Sequence, residues 1–204
     1  VYGEGWDFGE VQGGARGPNA TQARLAGTGI GTFNDRVRDA VRGGGPFDSA
    51  GDLRANQGFA TGLYTAPNEA NSGSEEERTT LLQLADLTRL GMAGNLKDFR
   101  LVVAGGRPLP GSFVSYNGAR AGYTEDPQES VNYVSKHDNQ TLFDIAAYKL
   151  ATGTPMTERV RRHNLSLVAG GVSFFVVLSI FPAIASVVAL YGFLANPLTL
   201  AERL

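Results

Sequence analysis

Residues Asn132–Asp144 read NYVSKHDNQTLFD, and this pattern is the clearest indication of the fold in the sequence. Its first residues, Asn132–Ser135, are partly apolar and β-prone, which predicts a buried strand. The polar run Lys136–Gln140 follows, and apolar residues then recur at helical spacing from Leu142 to Leu150. A strand that passes into a helix through His-Asp-Asn places these polar side chains at its carboxyl end, where (β/α) barrels keep their chemistry. The same residues also fit an ordinary polar turn in which Asn or Asp caps the helix.

The start of the chain carries a second stretch of this kind. Val1–Val11 reads VYGEGWDFGEV, in which Glu4 lies between two glycines and Trp6 follows two residues later. Taken alone, Glu4 fits a solvated loop carboxylate and Trp6 fits a core aromatic residue. Two further motifs lie between these stretches: GTGIGTFNDRVRDAVRGGGPFDS at Gly27–Ser49 and SYNGARAGYTEDPQESVNYVSKHDN at Ser115–Asn139.

These four motifs resemble signature regions of glycoside hydrolase family 13, the α-amylase superfamily. They are most similar to its bacterial pullulanase-type branch, the α-1,6 debranching enzymes, and they occur in the same order. The resemblance covers about residues 1–164. It implies an α/β fold that is a partial (β/α)8 TIM barrel, spanning about strands five to seven. An apolar helical segment, expected to be transmembrane, follows the partial barrel.

The resemblance also implies roles for polar residues at the strand ends. Glu4, at the end of strand five, matches the general acid/base. Its carboxyl must be protonated near neutral pH to donate to the glycosidic oxygen, and burial or a neighbouring carboxylate raises such a pKa. Asp138, after strand seven, matches the carboxylate that holds the sugar and favours the distorted, cationic transition state. Substrate contacts are implied for Trp6 as a flat platform, His137 through sugar hydroxyls, and Asn139, Asp35 and Arg38.

Strand six is predicted at Ile30–Phe33, and Asp35 and Arg38 follow at its carboxyl end. Either these two residues contact substrate, as the resemblance implies, or an Asp–Arg ion pair holds the loop. The glycines of Gly27–Gly31 do not match G-x-G-x-x-G, and no Gly-Lys-Ser/Thr follows them. The sequence therefore excludes a dinucleotide fingerprint and a phosphate loop at this position.

Local signals place further elements between strands six and seven. Ser74–Glu77 is a capping box that begins a helix, and the apolar stripe from Leu81 to Leu90 on that helix is expected to pack in the core. Phe99–Pro108 is β-prone and precedes a turn. Tyr116–Gly118 is a turn signal.

Composition limits the class of protein. The chain has 204 residues, fewer than the roughly 250 of a (β/α)8 barrel. Because it begins at Val1, inside a motif, we expect an internal fragment that lacks the strand-four nucleophile and is inactive alone. The net charge of −2 gives no argument for nucleic-acid binding. Cysteine is absent and there are two histidines, so no thiolate or zinc site is expected. No cofactor is expected, although the resemblance leaves calcium open for the parent enzyme.

The composition changes after Arg162. Leu165–Leu194 contains 30 residues without a charge, more than the roughly 18 to 20 apolar residues that span a membrane. Pro182, near the middle, predicts a kink or two helical pieces, with Val176–Leu194 helical and widely exposed. The arginines that precede the run predict a cytoplasmic N-terminal end. The alternative is a buried barrel helix followed by strand eight, although the run has no charged or amide side chain to form a polar face.

Residues 164–204 resemble the first membrane segment of the YihY/virulence factor BrkB family of inner-membrane proteins. We therefore expect two domains, a glycosidase barrel fragment at 1–163 and a membrane-type segment at 164–204. A membrane helix cannot replace the strand that closes a barrel, which favours a join of two unrelated genes over a natural fusion. The rival hypothesis is the N-terminal part of a YihY/BrkB-type integral membrane protein, with membrane contact through residues 165–194.

The sequence thus predicts a fragment of a retaining debranching hydrolase that acts on α-1,6 links in α-glucan polysaccharides or oligosaccharides. The preference for α-1,6 over α-1,4 links rests on the resemblance alone. The cellular compartment is not fixed, because the resemblance implies a bacterial parent enzyme that is either cytoplasmic or secreted. The apolar tail, if genuine, points to the inner membrane.

Overall fold

The computed structural model describes residues 1–164 and 182–191. Short 3₁₀ helices occur at Gly9–Gly14, Gly111–Phe113 and Pro127–Glu129. The strands are β1 (Tyr2–Gly3), β2 (Gly31–Asn34), β3 (Arg100–Val102), β4 (Pro108–Pro110), β5 (Ser115–Tyr116), β6 (Ala119–Arg120) and β7 (Ser130–Asn132). The helices are α1 (Gln22–Leu25), α2 (Asp35–Arg42), α3 (Ala50–Ala55), α4 (Glu75–Met92), α5 (Leu142–Lys149), α6 (156–164) and α7 (182–191).

A three-stranded parallel sheet positions the polar residues predicted from the sequence. Its order is β1-β2-β7, and both pairings are parallel. Gly3 pairs with Thr32, and Asn34 pairs with Asn132. The predicted parallel arrangement of three strands, with the second between the other two, is therefore confirmed.

The boundaries of the third strand differ from the prediction. The sequence placed it at Asn132–Ser135, whereas β7 ends at Asn132. The Val134 carbonyl accepts a hydrogen bond from Arg42 Nη1 at 3.2 Å and not from a strand partner. Tyr133 and Val134 therefore lie in the turn after β7 and not in the strand. In this turn the Arg42 side chain of α2 donates a hydrogen bond to the backbone carbonyl of Val134.

A network of side-chain amides joins the sheet to two helices. Asn34 is fully buried, and its Oδ1 accepts from the Val37 backbone N–H at 3.2 Å, which caps α2. Asn34 Nδ2 donates to Asn132 Oδ1 at 2.6 Å. Asn132 Nδ2 donates in turn to the Gly91 carbonyl at 2.9 Å. This network fixes the carboxyl ends of β2 and β7 to α2 and α4.

The helix α4 begins with the predicted capping box, in which Ser74 and Glu77 satisfy each other's backbone N–H groups. Its apolar stripe packs only in part. Leu87 and Leu90 are buried in a cluster with Ala40, Leu101 and Ala121, whereas Leu82 is 42% exposed. The expectation that the whole stripe is core was wrong because the first turns of α4 extend beyond the elements on which its second half packs.

The part of the chain between β2 and β7 contains two β-hairpins. β3 pairs antiparallel with β4. The predicted β-prone segment Phe99–Pro108 therefore contains β3 and the turn that follows it, and β4 begins at its last residue. β5 pairs with β6 through Asn117 and Gly118, whose φ angles are 48° and 79°. Two consecutive residues with positive φ match a type I′ turn, which explains why an Asn-Gly pair occurs there.

Lys149, at the end of α5, joins the C-terminal ends of α2 and α3. It is fully buried, and its Nζ donates to the carbonyls of Arg42, Gly43 and Asn56 at 2.9, 2.6 and 2.5 Å. Burial lowers the pKa of Lys149 to about 8. The backbone is close-packed here, because a Cβ at Gly43 would lie 2.1 Å from the Asn56 carbonyl oxygen. This contact holds the Gly43–Gly45 loop against the end of α5.

The chain divides into two units, Val1–Arg159 and Val160–Leu204. Of the second unit the structure describes 160–164 and 182–191, and both ranges are helical. Most of the predicted apolar run, 165–194, lies outside the described residues. The predicted helix Val176–Leu194 is helical over 182–191, and its other residues lie outside the described part of the chain. Among the residues that are described, no helix is both long and apolar enough to cross a membrane, so the predicted transmembrane helix gains no support. The boundary at 163/164 stays a prediction.

We expect Gly91→Ala to lower the free energy of unfolding by about 1 to 3 kcal/mol, because overpacking displaces close-packed neighbours. A Cβ at Gly91 would lie 1.8 Å from Val37 Cγ2, where α4 crosses α2. Gly51→Ala in α3 is the matched control, since its Cβ would meet only Ser49 Oγ at 4.0 Å. Urea unfolding of both variants checks this. Equal stabilities would show that α2 and α4 do not pack as described.

The buried carboxylate of Glu129 joins the starts of β2 and β7. It accepts from the backbone N–H groups of Gly29, Glu125 and Asp126 at 2.8, 3.0 and 3.4 Å, and the residue is 1% exposed. Burial raises the pKa of Glu129, but hydrogen bonds from backbone N–H groups lower it more strongly, to about 2. A carboxyl whose pKa is lowered on folding stabilises the fold above its unfolded pKa, and this contribution is lost as the pH falls toward 2.

We therefore expect Glu129→Gln to cost about 1 to 3 kcal/mol at pH 7, because the amide NH₂ faces backbone donors. The variant should also lose less stability than the wild type between about pH 4.5 and pH 2, where Glu129 titrates. Urea unfolding across this range measures both effects. Glu10→Gln is the control, since Glu10 is exposed and pairs only with exposed Arg16 among the ion pairs described. Parallel pH dependences for the Glu129 variant and the wild type would contradict the expectation.

Candidate active site

The carboxyl ends of the three parallel strands bring the predicted acidic residues to one edge of the sheet. Glu4 directly follows β1, Asp35 directly follows β2, and Asp138 lies in the loop after β7. Because β2 lies between β1 and β7, Asp35 belongs to the middle strand. The predicted placement of the three carboxylates is confirmed.

The ammonium of Lys136 connects the two carboxylates to which catalytic roles were given. Its Nζ lies 2.7 Å from Glu4 Oε1 and 2.9 Å from Asp138 Oδ2. Trp6 Nε1 donates to the other oxygen of Glu4 at 2.9 Å. Glu4 is thus held by a cation on one side and an indole N–H on the other. No role was predicted for Lys136 from the sequence, although a cation next to His-Asp at a strand end was a usable signal.

Aromatic rings surround the Lys136 ammonium. It lies 4.6 Å from the ring centroid of Phe33, 5.5 Å from that of Trp6 and 5.7 Å from that of Tyr133. Only 11% of the Lys136 side chain is exposed. A cation near the faces of aromatic rings is attracted by their quadrupoles. The rings and the carboxylates together fix the position of the charged group.

The electrostatics at Glu4 differ from the expectation of a raised pKa. The hydrogen bond from Lys136 lowers the pKa of Glu4 and is the largest influence, ahead of burial, which raises it. The same ammonium is the main cause of the lowered pKa of Asp138. The expectation was wrong for this arrangement, because the nearest charge to Glu4 is a cation and its carboxylate is 40% exposed.

His137 and Asn139 lie beside the carboxylates but are open to solvent. His137 Nε2 is 3.3 Å from Asp138 Oδ1 and 3.7 Å from Glu4 Oε1, and its side chain is 71% exposed. Asn139 has a φ of 62°, in the left-handed region that Asn tolerates better than most residues. Their side chains are therefore available to an incoming ligand, and their predicted role in holding sugar hydroxyls stays a prediction.

Asp35 and Arg38 do not pair with each other. The Asp35 carboxylate contacts Arg36 and accepts from Gln22 Nε2 at 3.0 Å. Arg38 Nε donates to Asp39 Oδ1 at 2.6 Å, and its Nη1 donates to the Tyr133 hydroxyl at 2.8 Å. The alternative, an Asp35–Arg38 ion pair that holds the loop, was therefore wrong, because each of the two pairs with a sequence neighbour instead. Contact of Asp35 and Arg38 with substrate stays a prediction.

Asp39 and Tyr116 are site residues that the sequence reasoning missed. Tyr116 Oη donates to Asp39 Oδ2 at 2.6 Å, and burial raises the pKa of both groups. They lie 77 positions apart, so no local pattern relates them. Together with Arg38 they form the inner wall of the site.

A cleft of about 670 Å³ opens at this edge of the sheet. Its volume lies within the range of small-molecule sites, roughly 300 to 1,000 Å³. It combines carboxylates, an arginine, amides and aromatic rings. The lining residues are Glu4, Trp6, Phe8, Asp35, Arg38, Asp39, Gly45, Pro46, Phe47, Asp48, Tyr116, Asn117, Asp138 and Asn139. Six of the seven predicted site residues line the cleft, and the seventh, His137, contacts Asp138 at its margin.

Glu4, His137 and Asp138 place one ligand-type atom each within 4.8 Å of one another. The Lys136 ammonium already lies against both carboxylates. A metal ion between them would have to displace this cation or be repelled by it. The arrangement therefore favours polar ligands that form hydrogen bonds.

Comparison with known proteins relates the chain to one segment of pullulanases. No protein-family model matches it. The pullulanase of Klebsiella aerogenes is 54% identical over 166 residues, which are 81% of this chain and 15% of that protein. Pullulanase 1, chloroplastic, of Arabidopsis thaliana is 45% identical over 181 residues, which are 86% of this chain and 18% of that protein.

Solved structures agree with the sequence comparison. A crystal structure of Klebsiella pneumoniae pullulanase complexed with maltotriose matches 79% of this chain with a TM-score of 0.70 and 54% identity. The structure of the Klebsiella oxytoca protein gives the same TM-score at 53% identity. In both cases the match covers 15% of the solved chain. The chain described here is thus similar, in sequence and in fold, to a limited part of pullulanases.

Proposed function

We propose that this chain is part of the catalytic barrel of a retaining, pullulanase-type hydrolase of glycoside hydrolase family 13. The substrate would be an α-glucan, cleaved at α-1,6 links. The observation that carries the proposal is the meeting of Glu4 and Asp138 at the carboxyl edge of a parallel sheet. It is supported by the 54% identity to a pullulanase and by the similarity to a maltotriose-bound pullulanase structure.

In this proposal, Glu4 is the general acid/base. It gives a proton to the glycosidic oxygen and later takes one from water, as retaining glycosidases require. Asp138 holds sugar hydroxyls and favours the positive charge that develops on the ring. The nucleophile, which retention places about 5 to 5.5 Å from the acid, would come from strand four, outside the region of resemblance. Substrate binding and that second carboxylate would raise the pKa of Glu4 from its lowered value.

The other cleft residues bind and orient the sugar. Trp6 offers an indole face, and its N–H fixes the orientation of Glu4. His137 and Asn139 are exposed beside Asp138 and would donate hydrogen bonds to hydroxyl groups. Arg38 is fixed by Asp39 and Tyr133 and would present its remaining N–H groups to the cleft.

We expect the chain by itself to release no reducing sugar from pullulan, because the proposed acid has no nucleophile on the opposite side of the sugar. The assay is reducing-end release by the purified chain, with a complete Klebsiella aerogenes pullulanase as positive control. Turnover that depends on Glu4, and is lost in Glu4→Gln, would contradict the expected inactivity.

The catalytic roles can be tested in a complete enzyme. Residues 1–164 would replace the matching segment of the Klebsiella aerogenes pullulanase. In this graft, Glu4→Gln and Asp138→Asn should each lower kcat on pullulan by about 10²- to 10⁴-fold, the usual cost of losing a positioned catalytic carboxyl. Glu10→Gln, an exposed carboxyl, is the matched control and should leave the rate unchanged.

Two outcomes would change the proposal. Near-normal rates in Glu4→Gln and Asp138→Asn, in a graft that hydrolyses pullulan, would show that other carboxylates do the chemistry. A graft that cleaves linear α-1,4 maltooligosaccharides faster than pullulan would move the proposal from α-1,6 to α-1,4 links.

A further inference from the structure

The two proposed catalytic carboxylates belong to loops that the sheet does not connect directly. Glu4 follows β1 and Asp138 follows β7, and these are the outer strands of the three. No ladder hydrogen bond joins β1 to β7, because β2 lies between them. Lys136 Nζ bridges the gap, with 2.7 Å to Glu4 Oε1 and 2.9 Å to Asp138 Oδ2.

The position of this bridging cation is itself fixed. Its Nζ lies over Phe33 of the middle strand at 4.6 Å from the ring centroid. Tyr133 closes another side, and the Tyr133 hydroxyl is held by Arg38 at 2.8 Å. Phe33 and Tyr133 contact each other, with centroids 5.3 Å apart. The ammonium therefore rests on an aromatic floor built by β2 and the turn after β7.

We propose that Lys136 is a positioning residue that sets the distance and relative orientation of the Glu4 and Asp138 carboxylates. The inference rests on the proposed function, which gives these carboxylates their roles. Lys136 itself contacts neither the bond that breaks in the proposed reaction nor the bond that forms. It acts on the two groups that do, and it makes the shortest contacts between these strand ends, where His137 also lies 3.7 Å from Glu4 and 3.3 Å from Asp138.

The charged groups around Lys136 determine in which direction its loss would shift the pKa values of Glu4 and Asp138. Glu4 and Asp138 are the carboxylates it contacts, and His137 lies against both of them. Arg38, on α2, also lowers the pKa of Asp138, though less than Lys136 does. Without the ammonium, two carboxylates that lie within about 5 Å of each other repel, and repulsion raises their pKa values.

A simple surface ion pair is the alternative to a positioning role, and the chain contains one for comparison. Lys97 Nζ lies 2.6 Å from Glu125 Oε1, with the two side chains 40% and 52% exposed. Exposed pairs of this kind contribute little to stability or to the geometry of a site. Lys97→Met is therefore a matched control for Lys136→Met, since each variant removes one lysine from one Lys–Glu pair.

The first experiment uses the chain as it stands. Carbon-13 NMR of the side-chain carboxyls would follow Glu4 and Asp138 from pH 2 to pH 8 in wild type, Lys136→Met, Lys136→Arg and Lys97→Met. In Lys136→Met both midpoints should move to higher pH, while Lys136→Arg keeps them near wild type and Lys97→Met leaves them unchanged. Circular dichroism confirms that each variant is folded. Midpoints unchanged in a folded Lys136→Met would overturn the proposal.

The second experiment uses the graft in the complete pullulanase. Lys136→Met should lower kcat/KM on pullulan by about 10- to 100-fold, the size of effect expected from misplacing a reacting group by an ångström. The high-pH limb of the kcat/KM profile, which reports a general acid in the free enzyme, should move to higher pH. Lys136→Arg should restore the limb and part of the rate.

The two proposals fail in different ways. If Glu4→Gln stays active, the proposed function is wrong, whatever Lys136 does. If Glu4→Gln is inactive while Lys136→Met keeps the wild-type rate and pH profile, the positioning role is wrong and the proposed function stands. A uniform loss of rate with an unmoved high-pH limb would also reject the positioning of Glu4, since a purely structural defect produces that pattern.

Discussion

The hydrogen bond from buried Asn34 to Asn132 is the contact on which the arrangement of the sheet and its helices depends. One side chain caps α2, and the other reaches the Gly91 carbonyl on α4, so two strands and two helices meet at one pair of amides. An unpaired buried amide is costly, so the Asn34 side chain favours this register of β2 against β7. Because Asn34 directly precedes Asp35, that register also determines the position of Asp35 at the carboxyl end of β2.

The site follows from this fixed edge. Strands whose carboxyl ends are aligned present one acidic residue each, and like charges brought together need a counter-charge. Lys136 supplies it from the turn that begins where β7 stops. The aromatic residues beside it pack against one another and also lie at cation–π distance from this one ammonium. The same cation explains why the acid expected to be protonated is instead held ionised.

Sequence patterns predicted what is encoded locally. The Ser74 capping box, the helix from Leu142 and the Asn-Gly turn could be read because each depends on neighbouring residues. The parallel pairing of the strands was expected from the family resemblance, since the paired residues are distant in the chain. The end of β7 was misplaced because a side chain 92 positions away satisfies the Val134 carbonyl. Asp39 and Tyr116 were missed for the same reason, since they lie 77 positions apart. Lys136 was missed although one of its partners, Asp138, is only two residues away. The roles of Glu4 and Asp138 came from family resemblance, and spacing alone would have left them as loop carboxylates.

The burial of the Lys149 ammonium makes it possible to distinguish local from global unfolding by the reactivity of the lysines. The chain has three lysines, and each sits in a different environment. Lys97 is at the surface, Lys136 is enclosed by rings and carboxylates, and Lys149 is sealed by three carbonyls. An acylating reagent would therefore modify Lys97 in the native state, Lys136 when the site loop opens, and Lys149 only when α5 leaves the ends of α2 and α3. Mass spectrometry of the acylated lysines would distinguish local from global unfolding within one sample.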